Sequence, residues 1–128
     1  MKTNNHTIVI SRAFEPLLQA AREAIQQEGF LLIQEINPQA ILAAHNMHIP
    51  PVRQLLYFHP DYMKEIIDKD PAAVIEAPLK LVLRETGATE TTIHAFHPSI
   101  HFEGYKNLAS LSATLATKTN NILAALQV

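Results

Sequence analysis

The chain has 128 residues, of which 48% are hydrophobic and 17% are charged, which indicates one globular domain over residues 1–128. A net charge of −2 with neutral histidines, and basic residues scattered along the chain, argue against nucleic-acid binding. The absence of cysteine excludes disulfides, thiolate metal sites and cysteine nucleophiles. No apolar run reaches the length of a membrane helix, and the N-terminal residues lack the apolar core of a secretory signal. We therefore expect a cytoplasmic protein that binds neither nucleic acid nor membrane.

The first half of the chain alternates β-rich runs with helical patterns. Residues 6–10 predict a strand, and the apolar spacing that follows predicts a helix that Gly29 ends in a left-handed conformation. Residues 30–36 predict a buried strand, so this part indicates a compact β-α-β opening. A short helix follows, with Asn37 as its N-cap, Pro38 in its first turn and Asn46 as its stop.

The second half predicts two more helices and three more strands. Residues 52–58 predict a strand after a double proline, and a helix begins after His59 and closes at Asp70. The runs 79–85 and 90–97 flank a turn and predict a hairpin, in which Leu79, Leu81 and Leu83 mark one face. Residues 105–127 predict a final helix with one apolar stripe, formed by Leu108, Leu111, Leu115, Ile122 and Leu126.

The order of these elements is β-α-β-(α)-β-(α)-β-β-α. Because a hairpin joins two neighbouring strands, a purely parallel sheet is excluded. We therefore predict an α+β fold, a single domain with a mainly antiparallel sheet and helices packed on one face.

The seven histidines raise the question of a metal site, since three of them, His94, His97 and His101, fall within eight positions. Ligands of one metal must converge on a point, but residues three apart on a strand point to opposite faces. No spacing here matches a known zinc motif. We therefore assign no metal, no cofactor and no catalytic residue, and expect these histidines in loops, solvated or hydrogen-bonded.

Two strand ends share a pattern, in which an aromatic residue precedes a histidine and a proline. If both strands run the same way in the sheet, the two ends lie along one edge and their loops can line a shared pocket. Alternatively, each proline only terminates a strand and each histidine only caps the helix that follows. The candidate ligand-binding residues are Phe58, His59, His94, Phe96, His97 and His101.

Other chemistries have weaker support in the sequence. The three glycines form no phosphate-binding loop, and no G-x-S-x-G motif is present. Lys80 and Arg84 alternate with leucines and therefore face away from the core. They can bind an anion, although such side chains are more often only solvated.

The runs GFLLIQEINPQAIL, LLYFHPDYMKEIIDKDPAAVIEAPLKLVLRE and TTIHAFHP, in this order and spacing, resemble the family known as domain of unknown function 302. The resemblance spans residues 6–100. It implies a small α+β fold with an antiparallel sheet, often paired as a homodimer, and no established activity. Many members have Asn-Pro or Cys-Pro where this chain has His59 and Pro60, so no role is carried over to that position.

Two functional hypotheses follow. The first is a non-catalytic small-ligand-binding or regulatory protein, dimeric, with a pocket near the strand-end loops. The alternative is a histidine-dependent metal-binding protein or enzyme that uses the strand-end histidines, with Glu103 as a further ligand or base. The sequence leaves open whether the protein is an enzyme.

Overall fold

The computed structural model describes residues 5–127. The strands are β1 (Asn5–Ile10), β2 (Leu31–Ile36), β3 (Val52–Phe58), β4 (Leu79–Gly87) and β5 (Glu90–Phe96). The helices are α1 (Phe14–Gln27), α2 (Pro38–Ala43), α3 (Pro60–Lys69), α4 (Pro98–His101) and α5 (Ala109–Leu126). Two short 3₁₀ segments, Pro71–Glu76 and Lys106–Leu108, precede β4 and α5. In the described residues, no helix is long and apolar enough to cross a bilayer.

The strands form one five-stranded sheet in the order β1-β5-β4-β3-β2, and every neighbouring pair is antiparallel. This confirms the predicted α+β fold with an antiparallel sheet. The β-α-β opening is not a local unit, because β1 and β2 lie at opposite edges and α1 connects them across the sheet. Since β1 and β2 run in the same direction, they need this long crossover.

The helix α1 follows the apolar spacing of its sequence. Its buried side chains recur at intervals of three and four, which places them on one face toward the sheet. Gly29 follows the helix with φ of +86°, as predicted, and Phe30 N–H donates to Ile25 O at 3.3 Å. The chain therefore reverses into β2 without strain on a side chain.

The core lies between the sheet and the pair α1 and α5. Leu79, Leu81 and Leu83 are completely buried, and so are Ile93 and Ala95 of the partner strand. The apolar stripe of α5 is also buried, against the same chain. Burial of each such leucine contributes roughly 1.5–3 kcal/mol, which holds α5 in place despite its threonines and asparagines.

The last helix begins later than predicted. Residues 98–108 form α4, a turn and a 3₁₀ segment, and α5 starts only at Ala109. Pro98 lies in the first turn of α4, where its missing N–H is not needed. The strand end and the final helix are therefore joined by a compact connector that carries His101.

The prediction of a buried strand at residues 30–36 is wrong, because β2 is an edge strand. Leu31 is 54% exposed and Ile33 is 56% exposed. An apolar run is expected in a buried strand, but the same run also suits an edge strand that borders a pocket. The face of the sheet opposite the core, called here the second face, carries the alternate side chains of each strand. On this face Lys80 and Val82 are half-buried and Arg84 is exposed.

Candidate functional site

The two strand ends that carry a histidine and a proline lie at the same end of the sheet. Both β3 and β5 pair antiparallel with β4, so they run in the same direction. Their axes are two strand spacings apart, roughly 10 Å. His59 and His97 therefore leave the sheet along one edge, with the start of β4 between them.

A depression of about 240 Å³ lies at the end of β3. Its lining is almost entirely apolar and consists of Leu31, Ile33, Phe58, His59, Pro60 and Met63. Phe58 is 1% exposed and belongs to the core, whereas the two β2 side chains are more than half exposed. The depression therefore combines a rigid inner wall with accessible aliphatic side chains.

His59 is the polar group of this depression and also the N-cap of α3. Its Nδ1 accepts a hydrogen bond from the Asp61 backbone N–H at 3.1 Å, and its ring meets the Tyr62 ring edge-on at 5.8 Å. An imidazole whose Nδ1 accepts carries its hydrogen on Nε2. The local sequence thus fixes a donor, His59 Nε2–H, on a side chain that is 34% exposed.

His97 makes a different set of contacts. Its Nδ1 lies 2.7 Å from Ser99 Oγ, and its ring stacks on His6 with 6.2 Å between centroids. Unlike His59, it makes no side-chain bond that caps the following helix. The cavity that it lines with His6, Phe96, Pro98, Ala116, Thr119 and Asn120 holds about 10 Å³, room for one water molecule.

Phe96 and His101 form a stacked pair with 3.7 Å between ring centroids. His101 Nδ1 lies 3.3 Å from Glu76 Oε1, and the Tyr105 hydroxyl donates to Glu76 Oε2 at 2.9 Å. The hydrogen bond with Glu76 is the main cause that raises the pKa of Tyr105. This cluster joins the 3₁₀ segment before β4 to the connector before α5, which is a structural role.

His94 lies on the second face of the sheet. Its Nε2 accepts from Arg84 Nε at 3.0 Å, and its Nδ1 lies 3.0 Å from Thr7 Oγ1. Burial, and secondarily the charge of Arg84, lower the pKa of His94. With Phe96, Lys80 and Val82, it lines a shallow depression of about 80 Å³.

The candidate residues thus distribute over three depressions. Phe58 and His59 share the first, Phe96 and His97 the second, and His94 and Phe96 the third. Within residues 5–127, no three histidine or acidic side chains are grouped so that they could hold a metal ion. The backbone keeps these histidines apart. Alternation along β5 directs His94 to a different face from His97, and α4 places His101 next to Glu76.

The sequence does not reveal the aliphatic part of the first depression or the partners of the histidines. Leu31 and Ile33 fall in the run that was predicted as a buried strand, and Met63 carried no prediction, so no sequence signal marked these three residues as accessible. Glu76 and Tyr105 meet only through tertiary packing, since they are 29 positions apart. Pro60, which follows His59, was a local signal of a helix start beside the depression.

Comparisons with known proteins agree on one family. The sequence model described as "Domain of unknown function DUF302" matches residues 6–126. A solved structure described as an uncharacterized conserved protein DUF302 from Bacillus stearothermophilus is similar with a TM-score of 0.85 and 17% sequence identity. The similarity covers 98% of this chain and 99% of that chain, and at this identity it shows the fold alone. No curated protein matches the chain.

Proposed function

Since this chain belongs to the DUF302 family, whose description states no activity, we propose from its own geometry that it is a non-catalytic small-ligand-binding protein. The proposed site is the depression at the end of β3, between β2 and the start of α3. The observation that carries the proposal is the pairing of an apolar lining with one oriented donor, His59 Nε2–H.

The site selects a chemical class of ligand. Binding pockets are mainly apolar with a few placed polar groups, and they commonly hold roughly 300–1,000 Å³. At about 240 Å³, this depression suits a small molecule. The aliphatic side chains of Leu31, Ile33 and Met63 favour an apolar body, and the His59 donor favours one hydrogen-bond acceptor, such as a carbonyl oxygen.

The composition of the lining supports a non-catalytic role. None of the residues that line the depression carries a hydroxyl or thiol nucleophile. The Nδ1 lone pair of His59 is already used to cap α3, so this nitrogen cannot act as a base without breaking the cap. The depression therefore supports retention of a ligand and offers no group for covalent chemistry.

The test is an NMR titration with cyclohexanone, a small apolar ketone. We expect shifts of the backbone signals of Leu31, Ile33 and Met63. Ile33→Ser should weaken binding about fivefold, because partial burial of an aliphatic side chain contributes about 1 kcal/mol. Val9→Ser is the matched control, since Val9 is an exposed aliphatic residue of the opposite edge strand.

The donor is tested by His59→Asp. Aspartate is a strong N-cap and has no hydrogen to donate, so α3 should stay stable while cyclohexanone binds about fivefold more weakly. Equal affinity in this variant would remove the donor from the proposal. The ligand-binding proposal would be wrong if cyclohexanone shifted no signal of the residues that line the depression. It would also be wrong if Ile33→Ser bound cyclohexanone with unchanged affinity.

We also propose that the chain forms a homodimer, as its family resemblance implies. Support comes from α2, which buries no side chain against its own chain and leaves the aliphatic side chain of Ile41 56% exposed. Met47, just after α2, is 54% exposed, so this segment presents an apolar surface. Sedimentation should show a dimer that Ile41→Glu dissociates, whereas Ile75→Glu, at a site 82% exposed, should leave it intact.

A monomer at all concentrations would refute the proposed dimer and would leave the ligand proposal unaffected.

The cytoplasmic location expected from the sequence is also a proposal, and fractionation of cells that produce the protein tests it.

A further inference from the structure

The second face of the sheet carries cations without carboxylate partners. Lys80, Val82 and Arg84 project from β4 on this face, and Val82 and Arg84 pair across to His94 and Thr92 of β5. Among the described residues, neither Lys80 nor Arg84 forms an ion pair, whereas Arg22, Lys64 and Lys69 elsewhere each do. Two positive charges therefore share an accessible apolar surface.

Acidic side chains do not neutralise this surface. The outward positions of β3 next to it hold Val52, Gln54 and Leu56. The outward acid of the hairpin is Glu90, at its tip, one step beyond the row of Arg84 and Thr92. Arg84 does not pair with Glu90, because its Nε is directed to His94.

The contact with His94 orients the guanidinium of Arg84. Nε2 of His94 accepts from Arg84 Nε at 3.0 Å, and Nδ1 of the same ring lies 3.0 Å from Thr7 Oγ1. Along β4 the backbones of Lys80 and Arg84 are roughly 13 Å apart. Because His94 pairs with Val82, in the row between Lys80 and Arg84, the bond directs Arg84 Nε to that row. The two terminal nitrogens of Arg84 have no acceptor among residues 5–127.

Cations on an open sheet face are usually solvated. Three observations separate this pair from that ordinary case: a guanidinium bonded to His94, whose other ring nitrogen contacts Thr7; no acid in the rows between the cations; and a depression with apolar walls. Lys80, Val82, His94 and Phe96 line that depression. Phe96 is itself fixed by the stack with His101.

We propose that this depression binds a small organic anion. The carboxylate or phosphate group lies between Lys80 Nζ and the terminal nitrogens of Arg84, and the apolar body contacts Val82 and Phe96. Arginine and lysine are the side chains that bind such oxyanions, and arginine can bind them with two parallel hydrogen bonds. His94 acts as a positioning residue that holds Arg84. The site shares no residue with the depression at the end of β3.

The test uses benzoate and phenyl phosphate as probes, with benzyl alcohol as the neutral analogue. In NMR titrations, both anions should shift the signals of Lys80, Val82 and His94, and benzyl alcohol should not. Lys80→Gln and Arg84→Gln should each weaken benzoate binding about tenfold, because each removes one charged donor. Lys106→Gln makes the same charge change at an exposed position off the sheet and should alter affinity less than about twofold.

Positioning by His94 is tested by a pair of variants. His94→Leu removes the acceptor for Arg84 Nε and should weaken benzoate binding about fivefold, whereas His94→Gln supplies an amide oxygen and should restore it. A structural role alone would not give this rescue at equal melting temperatures. The ratio of benzoate to phenyl phosphate affinity reports which oxyanion the site prefers.

Several results would overturn the proposal. The proposal is wrong if benzoate causes no NMR shifts up to its solubility limit, or if the shifted signals belong to residues outside this depression. It is also wrong if the shifts persist in the double variant Lys80→Gln and Arg84→Gln. Ile33→Ser should leave benzoate binding unchanged, and Lys80→Gln should leave cyclohexanone binding unchanged. The two sites can therefore fail independently.

Discussion

Arg84 donates its Nε hydrogen to Nε2 of His94 over 3.0 Å, although both side chains are basic. The imidazole can accept this bond only while it is neutral, so its hydrogen resides on Nδ1, next to Thr7 Oγ1. Burial, followed by the nearby Arg84 charge, lowers the pKa of His94. Protonation would therefore break a contact that joins three strands, β1, β5 and β4.

The first prediction is a loss of stability in mild acid that depends on His94. Below the ordinary histidine pKa of about 6.5, the unfolded chain binds a proton that the folded protein still excludes. The free energy of unfolding should therefore fall as the pH drops from about 6.5 toward the lower pKa of folded His94. Urea denaturation between pH 7.5 and 5 should show a smaller fall in His94→Gln, with the other six histidines unchanged. Parallel pH profiles would contradict this.

The second prediction concerns the glycine after α1. Gly29 has φ of +86°, and a Cβ added there would meet no atom within 4 Å. Gly29→Ala should therefore cost about 1–2 kcal/mol from backbone conformation alone, without any clash. Gly104 also has open space for a Cβ but no positive φ, so Gly104→Ala is the matched control and should be neutral or slightly stabilising. Equal melting temperatures of both variants would refute the argument.

The third prediction concerns the contact that closes the C-terminal end of α1. Lys118 of α5 donates from Nζ to Glu28 O at 2.7 Å and lies 5.8 Å from the Phe30 ring centroid. A cation at this end of a helix interacts favourably with its unpaired carbonyl groups. Lys118→Met should lower the free energy of unfolding by about 1–2 kcal/mol. Lys64→Met removes an exposed ion pair with Asp68 and should change it by less than about 0.5 kcal/mol.

The fourth prediction concerns the ion pair that links α1 to β2. Arg22 Nε and Nη2 donate to the two carboxylate oxygens of Glu35 at 2.8 and 2.7 Å. The hydrogen bond from Arg22 is the main cause that lowers the pKa of Glu35. A double-mutant cycle of Arg22→Gln and Glu35→Gln should give a coupling energy of about 1 kcal/mol, since both side chains are partly buried and the geometry is bidentate.

The reference for this cycle is the exposed pair Lys64 and Asp68, spaced four residues apart on α3. Such helix-surface pairs contribute roughly 0.3–0.5 kcal/mol. A coupling energy between Arg22 and Glu35 no larger than this reference value would show that the bidentate geometry adds nothing.

Local features of the fold were predictable because their causes are local. Asn37 accepts a hydrogen bond from the Ala40 backbone N–H, as expected of an N-cap followed by proline. The strand Val52–Phe58 has the predicted bounds, since a double proline precedes it and a histidine and a proline follow. The alternation of leucines in β4 identified its buried face correctly, because side chains on a strand alternate strictly.

Features of the candidate sites were less predictable, because they depend on which strands become neighbours. The edge position of β2 exposes Leu31 and Ile33, and nothing in their own run of apolar residues distinguishes an edge from a centre. Thr7 and His94 are 87 positions apart, and only the pairing of β1 with β5 brings them together.

Periodicity, capping and turn chemistry were therefore enough to predict most of the helices and strands, the buried face of β4 and the α+β class. The strand order, and with it the separation of His59, His94 and His97 into different depressions, depends on tertiary packing. The physical reason is that hydrogen-bonded pairing between distant strands is selected by the packing of the whole core, which no short stretch of sequence records.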